Sequence, residues 1–165
     1  MNRIAVIDSS PLIYLSHLNL AGKLSFYFDR IYVPRQVQVE VNKKSRFRYR
    51  LNKLYATQFY ERCSCADEVR VSLLRHDVDR GEAEALVQAQ EKHARFFIVD
   101  EAKARGFGER QGLISIGTVR LLARLSLEGQ IEDTRLLVKR LRTELKARIA
   151  EDIVDRAIAT APTPI

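Results

Sequence analysis

The residues of this 165-residue chain that could do chemistry are carboxylates placed at the ends of apolar runs. Ile4-Ala5-Val6-Ile7 stops at Asp8, and Phe96-Phe97-Ile98-Val99 stops at Asp100. An acid at the edge of an apolar strand is costly unless it is hydrogen-bonded, paired or bound to a metal. Either could simply cap the helix that follows; two of them, with further acids suitably placed, point to a site. Glu40 is a lone acid in Val37-Gln38-Val39-Glu40-Val41, and its structural alternative is an ion pair with Lys43 or Lys44 at helical spacing. Glu82 and Glu84 follow Gly81 at the start of an Ala/Glu/Gln-rich segment, where a helix dipole favours acids in any case. Three or four carboxylates with no cysteine among them and no clustered histidine are hard oxygen ligands, suited to Mg²⁺ or Mn²⁺. Ions held this way orient and activate a water and stabilise the leaving oxygen of an in-line displacement, the chemistry of phosphodiester hydrolysis.

The charge balance supplies a matching substrate. The chain has 28 Lys+Arg against 21 Asp+Glu, a formal +7. Residues 1–60 hold 10 of the basic and 3 of the acidic residues, and the remainder holds 18 of each. An excess confined to the first third suggests an anionic partner docking on one region. Within it, the stretch from Asn42 to Lys53 carries Lys43, Lys44, Arg46, Arg48, Arg50 and Lys53, with Phe47 and Tyr49 interleaved. Lys and Arg neutralise phosphates, and exposed aromatics stack on unpaired bases, so RNA is the expected partner. The alternative is a solvated helix face with Phe47 and Leu51 packed inward. Backbone contacts alone do not separate RNA from DNA. Tyr55, Phe59 and Tyr60 read as packing or a dimer surface.

Other classes drop out. Cys63 and Cys65 are too few for a disulfide scaffold or a four-ligand zinc site and read as free thiols. His17, His76 and His93 are scattered, and no Ser/His/Asp arrangement, G-x-G-x-x-G or Walker A loop is present. Only four apolar residues precede Asp8, too few for a secretory h-region of ~7–15, and no apolar run approaches the ~18 of a membrane span. The expectation is a soluble cytoplasmic protein with no membrane contact.

The elements that must position the acids alternate. Ile4–Ile7 reads as a doubly buried strand, followed by a helix with Ser10 as N-cap and Pro11 at its first position. Ile31–Val33 is a second strand candidate, and Pro34 opens the helix carrying Glu40. A long basic helix is expected over 45–62; 69–74 fits strand or helix; Asp79-Arg80-Gly81 is punctuation before a helix over 82–93. Phe96–Val99 and Leu113–Ile116 are further strands. Gly117-Thr118 then leads into a Leu-rich helix to about Glu128, and closing helices follow over 132–146 and 150–160. Such alternation implies right-handed crossovers and a three-layer α/β/α sandwich around a central parallel sheet, with a helical C-terminal extension. The expected organisation is one domain over 1–160, comprising a basic helical arm at 43–62 and closing helices at 130–160, with a frayed tail at 161–165. Ligands of such sheets bind at the carboxyl ends of strands, where Asp8 and Asp100 lie.

In order along the chain, Ile4–Ile13, Val33–Val41, Gly81-Glu82-Ala83-Glu84-Ala85-Leu86, Phe97–Arg105 and Gly117-Thr118-Val119 resemble the PIN domain family, the fold of VapC-type toxin ribonucleases. The likeness covers residues 3 to about 128, and Leu141–Ala159 resembles the helical end of the PIN-like branch with a Gly-Glu-Ala-Glu-Ala motif. The resemblance implies a divalent-metal cluster in which Asp8 is the first acid, Ser10 its supporting hydroxyl, Glu40 the second acid and Asp100 the acid of the later strand. Glu82 and Glu84 align almost equally well with the third acid, and Glu82 is preferred on its distance to Asp100. Many family members have Asp there, so Glu is a departure. Glu101 is an assisting acid or a helix-start acid, and Thr118 a hydroxyl for phosphate or a helix cap. Arg105 is a phosphate clamp or an ion-pair partner. The activity implied is that of a Mg²⁺- or Mn²⁺-dependent endoribonuclease, the toxin of a toxin–antitoxin pair, acting as a homodimer beside an antitoxin protein. A non-catalytic PIN-like module binding RNA or protein is the alternative.

Overall fold

The computed structural model describes residues 3–165, with the side chains of residues 45–47 outside that description. The chain divides into two compact units, the first ending at Ile116 and the second running from Gly117 to Ile165.

In the first unit the apolar runs form strands β1 (Ile4–Ile7), β2 (Arg30–Pro34), β3 (Tyr60–Cys63), β4 (Phe96–Ile98) and β5 (Ile114–Ile116). All pair in parallel, in the order β3-β2-β1-β4-β5. β1 is central, with Val6 opposite Tyr32 on one side and Phe97 on the other. That explains its unbroken apolar character: Ala5, Val6 and Ile7 are fully buried, as a strand covered on both faces requires. Helices α1 (Ser9–His17), α2 (Arg35–Lys43) and α3 (Ser45–Ala56) connect β1 to β2 and β2 to β3. Helices α4 (Glu68–Leu74), α5 (Arg80–Glu91) and α6 (Ala102–Arg110) accompany the return through β4 to β5. The chain steps outward from β1 to β3 and then back across to β5. Right-handed crossovers therefore put the two sets of helices on opposite faces, giving three layers. Val6, Tyr32 and Phe97 share one core with Val71 of α4, with Ala83, Leu86 and Val87 of α5 and with Ala104 of α6. On the other face, Phe28 meets Phe96 edge-on with ring centroids 5.3 Å apart.

Two expectations are corrected. The basic helix ends at Ala56 rather than 62: Thr57 caps it, Gln58 takes a left-handed φ of 58°, and Tyr60–Cys63 is the edge strand. An edge strand needs one buried row only, so Tyr60 points into the core while Glu61 pairs across the edge with Arg30 at 2.8 Å. Tyr60 is thus core, and its hydroxyl donates to Ala21 O at 2.8 Å. Second, the N-cap of α1 is Asp8 rather than Ser10, which places Pro11 inside the first turn, where an N–H has no helical partner to lose. The stretch at 69–74, which in the sequence fits strand or helix, is helical and is capped by Asp67, whose side chain accepts from Arg70 N at 2.9 Å.

The second unit is helical: α7 (Thr118–Leu127), α8 (Thr134–Leu145) and α9 (Glu151–Thr160) pack pairwise. Arg135 of α8 forks onto Glu151 and Asp155 of α9, each at 2.6 Å. Beyond α9, Arg124 donates to Ala161 O and Pro162 O and Arg120 to Thr163 O. Among the described residues, no helix is long and apolar enough to cross a membrane.

Removing the Tyr60 hydroxyl strands a buried carbonyl without enlarging the core. Tyr60→Phe is expected to lose about 1–2 kcal/mol in chemical denaturation, and an unchanged midpoint would show that Ala21 O finds another donor.

Candidate active site

Parallel topology brings the carboxyl ends of β1, β2 and β4 to one edge of the sheet. Asp8 follows β1 directly, tied to the adjacent strand by its own backbone N–H, which donates to Ile98 O at 3.0 Å. It occupies the N-cap position of α1, yet its side chain makes no cap hydrogen bond. The residue is 6% exposed. Burial pushes its carboxyl up to about 7; the Ser9 backbone N–H opposes this, while the negative charges of Asp79, Glu82 and Glu40 push it further. The strongest charges acting on Asp8 are therefore all negative.

Those neighbours arrive from two helices. The start of α5 is a reciprocal capping box: Asp79 Oδ1 accepts from Glu82 N at 2.8 Å, and Glu82 Oε2 accepts from Asp79 N at 3.0 Å. Glu82 is nonetheless pushed above the ordinary carboxylate range, first by burial, with Asp79, Glu101 and Glu40 adding to it. Glu40, half-buried on α2, reaches the same place across Gly81. A Cβ at Gly81 would stand 3.2 Å from Glu40 Oε1 and 3.4 Å from Asp79 Oδ1. Glycine here is a matter of space, since it lets two carboxylates meet over the first turn of α5. In the sequence Asp79 reads as punctuation only, although Asp-x-x-Glu ahead of an apolar helix is itself a capping-box signature.

Glu84, the other alignment of the third acid, faces elsewhere. Its Oε2 accepts from Gln36 N at 2.8 Å and its Oε1 from Arg80 Nε at 3.2 Å. Asp100 lies half-buried beyond β4 and acts on Tyr14 of α1, whose hydroxyl is pushed up by burial first and by Asp100 second. The residue that caps α6 is Glu101, accepting from Ala104 N at 2.7 Å, so the helix-start role applies to Glu101 and not to Asp100. Ser10 lies in the first turn of α1, and Arg105 donates to Val99 O at 3.4 Å. Thr118 opens α7 behind the N-cap Gly117, in the second unit.

The basic residues divide as well. Lys43, Lys44, Arg48 and Lys53 are exposed, and Lys53 lies 4.6 Å from the ring centre of Tyr49, which is 68% exposed. Arg50, part of the same run of cations in the sequence, is turned inward and donates to Ser16 O at 2.7 Å and His17 O at 3.0 Å, satisfying carbonyls at the end of α1. The Arg46 and Phe47 side chains lie outside the described residues.

A family model for the PIN domain matches residues 4–162. The chain belongs to the PIN domain family. No curated protein matches it. PIN domains are a nuclease-like fold and usually use divalent metals. In this PIN domain the donors suit such an ion in kind and charge: hard carboxylate oxygens, one of them desolvated, crowded by their own like charge. The fit is one of chemistry rather than of a finished cage, since among the described residues no three of His, Cys, Asp or Glu stand arranged to hold a metal. Asp8, Glu40 and Glu82 are the residues that would hold it, with Asp79 beside them.

Two outcomes follow from this geometry. A carboxyl whose pKa is higher folded than unfolded binds its proton preferentially in the native state. Its contribution is complete below the unfolded value near ~4 and is lost as pH rises through about 7. Metal-free protein should thus lose stability between these limits relative to Asp8→Asn, by an amount on the order of a few kcal/mol; melting curves of the two that stay parallel from pH 4.5 to 8 would exclude a raised Asp8. Gly81→Ala should keep thermal stability or raise it by up to about 1 kcal/mol, while pushing Glu40 aside and weakening Mn²⁺ binding in calorimetry. Unaltered Mn²⁺ affinity would show that Glu40 plays no part in it.

Proposed function

We propose that this PIN domain is a Mg²⁺- or Mn²⁺-dependent endoribonuclease that hydrolyses RNA phosphodiester bonds. The observation that supports this most is Asp8, desolvated at the carboxyl end of the central strand and pressed by Glu40, Asp79 and Glu82. The charges that act most on Asp8 are negative, and two of the acids, Asp8 and Glu40, lie within the first sixty residues, which carry the whole basic excess. Asp8, Glu40 and Glu82 would hold the ion, with Asp100 at the end of β4 as the fourth acid that the family pattern implies; the ion would supply an activated water and neutralise charge on the leaving oxygen. Lys43, Lys44, Arg48 and Lys53 hold phosphates away from the bond that breaks, and Tyr49 offers a face to an unpaired base. The resemblance of its motifs to VapC-type proteins supports reading the activity as that of a cytoplasmic toxin, with an antitoxin protein and a second copy of the chain as partners.

A second reading, a PIN domain that binds RNA without cutting it, is favoured by one observation: the acids are not gathered into a ready cage. Incubating the protein with single-stranded and structured RNA, in Mn²⁺ or in EDTA, separates the two. The nuclease reading expects cutting in Mn²⁺ that drops to the EDTA level in Asp8→Asn, with the variant still folded. RNA bound but intact in both Mn²⁺ and EDTA establishes the second reading.

A further inference from the structure

We propose that Glu84 and Gln36 are positioning residues for Glu40 and that Glu84 is not itself a metal ligand. The proposal rests on the metal-dependent reading above and adds a second layer behind its acids. Two consecutive hydrogen bonds link the three residues. Glu84 Oε2 accepts from Gln36 N at 2.8 Å, and Gln36 Nε2 donates to Glu40 Oε1 at 3.4 Å. The first of these bonds satisfies a backbone donor that helix α2 cannot satisfy alone. The N-cap of α2 is Pro34, which makes no side-chain cap, so the open N–H at Gln36 is met by a carboxylate from another helix. A negative group there also suits the positive end of the α2 dipole. The second bond joins residues four apart on one helix face, the spacing at which such pairs meet.

The charge of Glu84 is already compensated. Arg80 donates to it at 3.2 Å from the preceding turn of α5, and the Glu84 side chain is 5% exposed. None of the dominant charges acting on Asp8 comes from Glu84, whereas Glu40, Asp79 and Glu82 all contribute. Glu84 thus binds α5 to the start of α2. Its placement sets how far α2 advances and brings Glu40 over Gly81 rather than into solvent. The Gly81 gap and the Glu84 bridge are two parts of one device on consecutive turns of α5: one leaves room for the Glu40 carboxylate, the other fixes the helix that carries it.

Three variants test this through amide hydrogen exchange and Mn²⁺ titration. Glu84→Gln keeps an oxygen for Gln36 N and loses the charge; Glu84→Ala loses both; Gln36→Ala keeps the backbone bond and loses the link to Glu40. The proposal expects Glu84→Ala to lose protection of the Gln36 amide and to weaken Mn²⁺ binding by about 10-fold, the lower end of the range for partners that orient metal ligands. Glu84→Gln should retain both to within about threefold, and Gln36→Ala should weaken Mn²⁺ while the Gln36-position amide stays protected. Loss of Mn²⁺ in Glu84→Gln as complete as in Glu84→Ala, with the amide still protected, would mean that Glu84 binds the ion directly and would overturn the proposal. So would a Gln36 amide that exchanges equally fast in wild type and Glu84→Ala. If wild type itself binds no Mn²⁺, the metal-dependent reading fails, and the Gln36 amide alone then decides whether Glu84 positions α2.

Discussion

Like-charge repulsion at one edge of a parallel sheet is the constraint around which the first unit is arranged. Asp8 cannot move out to water, because its backbone continues β1 and its N–H is committed to β4. Three further carboxylates press on it from α2 and from the start of α5. Parallel topology offers partial relief by geometry: α1 begins right after β1 and α2 right after β2, so the positive ends of helix dipoles gather where the acids are. That relief is worth only a fraction of a charge per helix, less than several clustered carboxylates demand. What remains pushes the Asp8 carboxyl up toward its neutral form, and a hard cation is the natural complement to such a cluster.

The acids that create this field are also fastenings. Asp79 and Glu82 cap α5 reciprocally. A carboxylate bound by a backbone N–H is located to within a hydrogen-bond length, and its second oxygen remains available to a ligand. Placing the acids on helix starts therefore gives precision without a rigid cage, and leaves distances that an incoming ion can close. The same economy explains Gly81: in a first turn otherwise rich in side chains, the missing Cβ is the space through which α2 can bring a fourth carboxylate to the others.

Much of this arrangement is legible in the amino-acid sequence. Apolar runs ended by an acid identify β1 and β4 with Asp8 and Asp100, because a strand buried on both faces leaves an unmistakable composition, and the alternation of elements implies the three layers. What stays hidden is whatever depends on a partner distant in sequence. β3 reads as a continuation of the preceding helix because an edge strand with Glu61 and Arg62 outward lacks the apolar signature. Arg50 looks like the other cations of the arm, since nothing local reveals that the end of α1 lies beside it. Asp79 escapes notice for the opposite reason: its place at a helix start is visible, and that structural role masks the chemical one.

The two kinds of charge in this PIN domain act over different ranges. Exposed lysines and arginines attract a polyanion from a distance but are screened beyond roughly 10 Å at moderate salt. They cannot offset repulsion between buried carboxylates and a phosphate drawn in among them. Helix α2 joins the two problems, since it carries Glu40 and ends at Lys43, one turn further on. A phosphate held by Lys43 or Lys44 is thereby brought within a helical turn of Glu40, where the attraction of the arm and the repulsion of the acids oppose each other directly. From residue 61 onward acidic and basic residues balance, and in the second unit Arg135 and Arg142 are paired with Glu151, so little of the steering field arises there. On the proposed reading the arm would deliver a strand to the edge of the site, and only a charge seated among the carboxylates themselves would let a phosphate enter it.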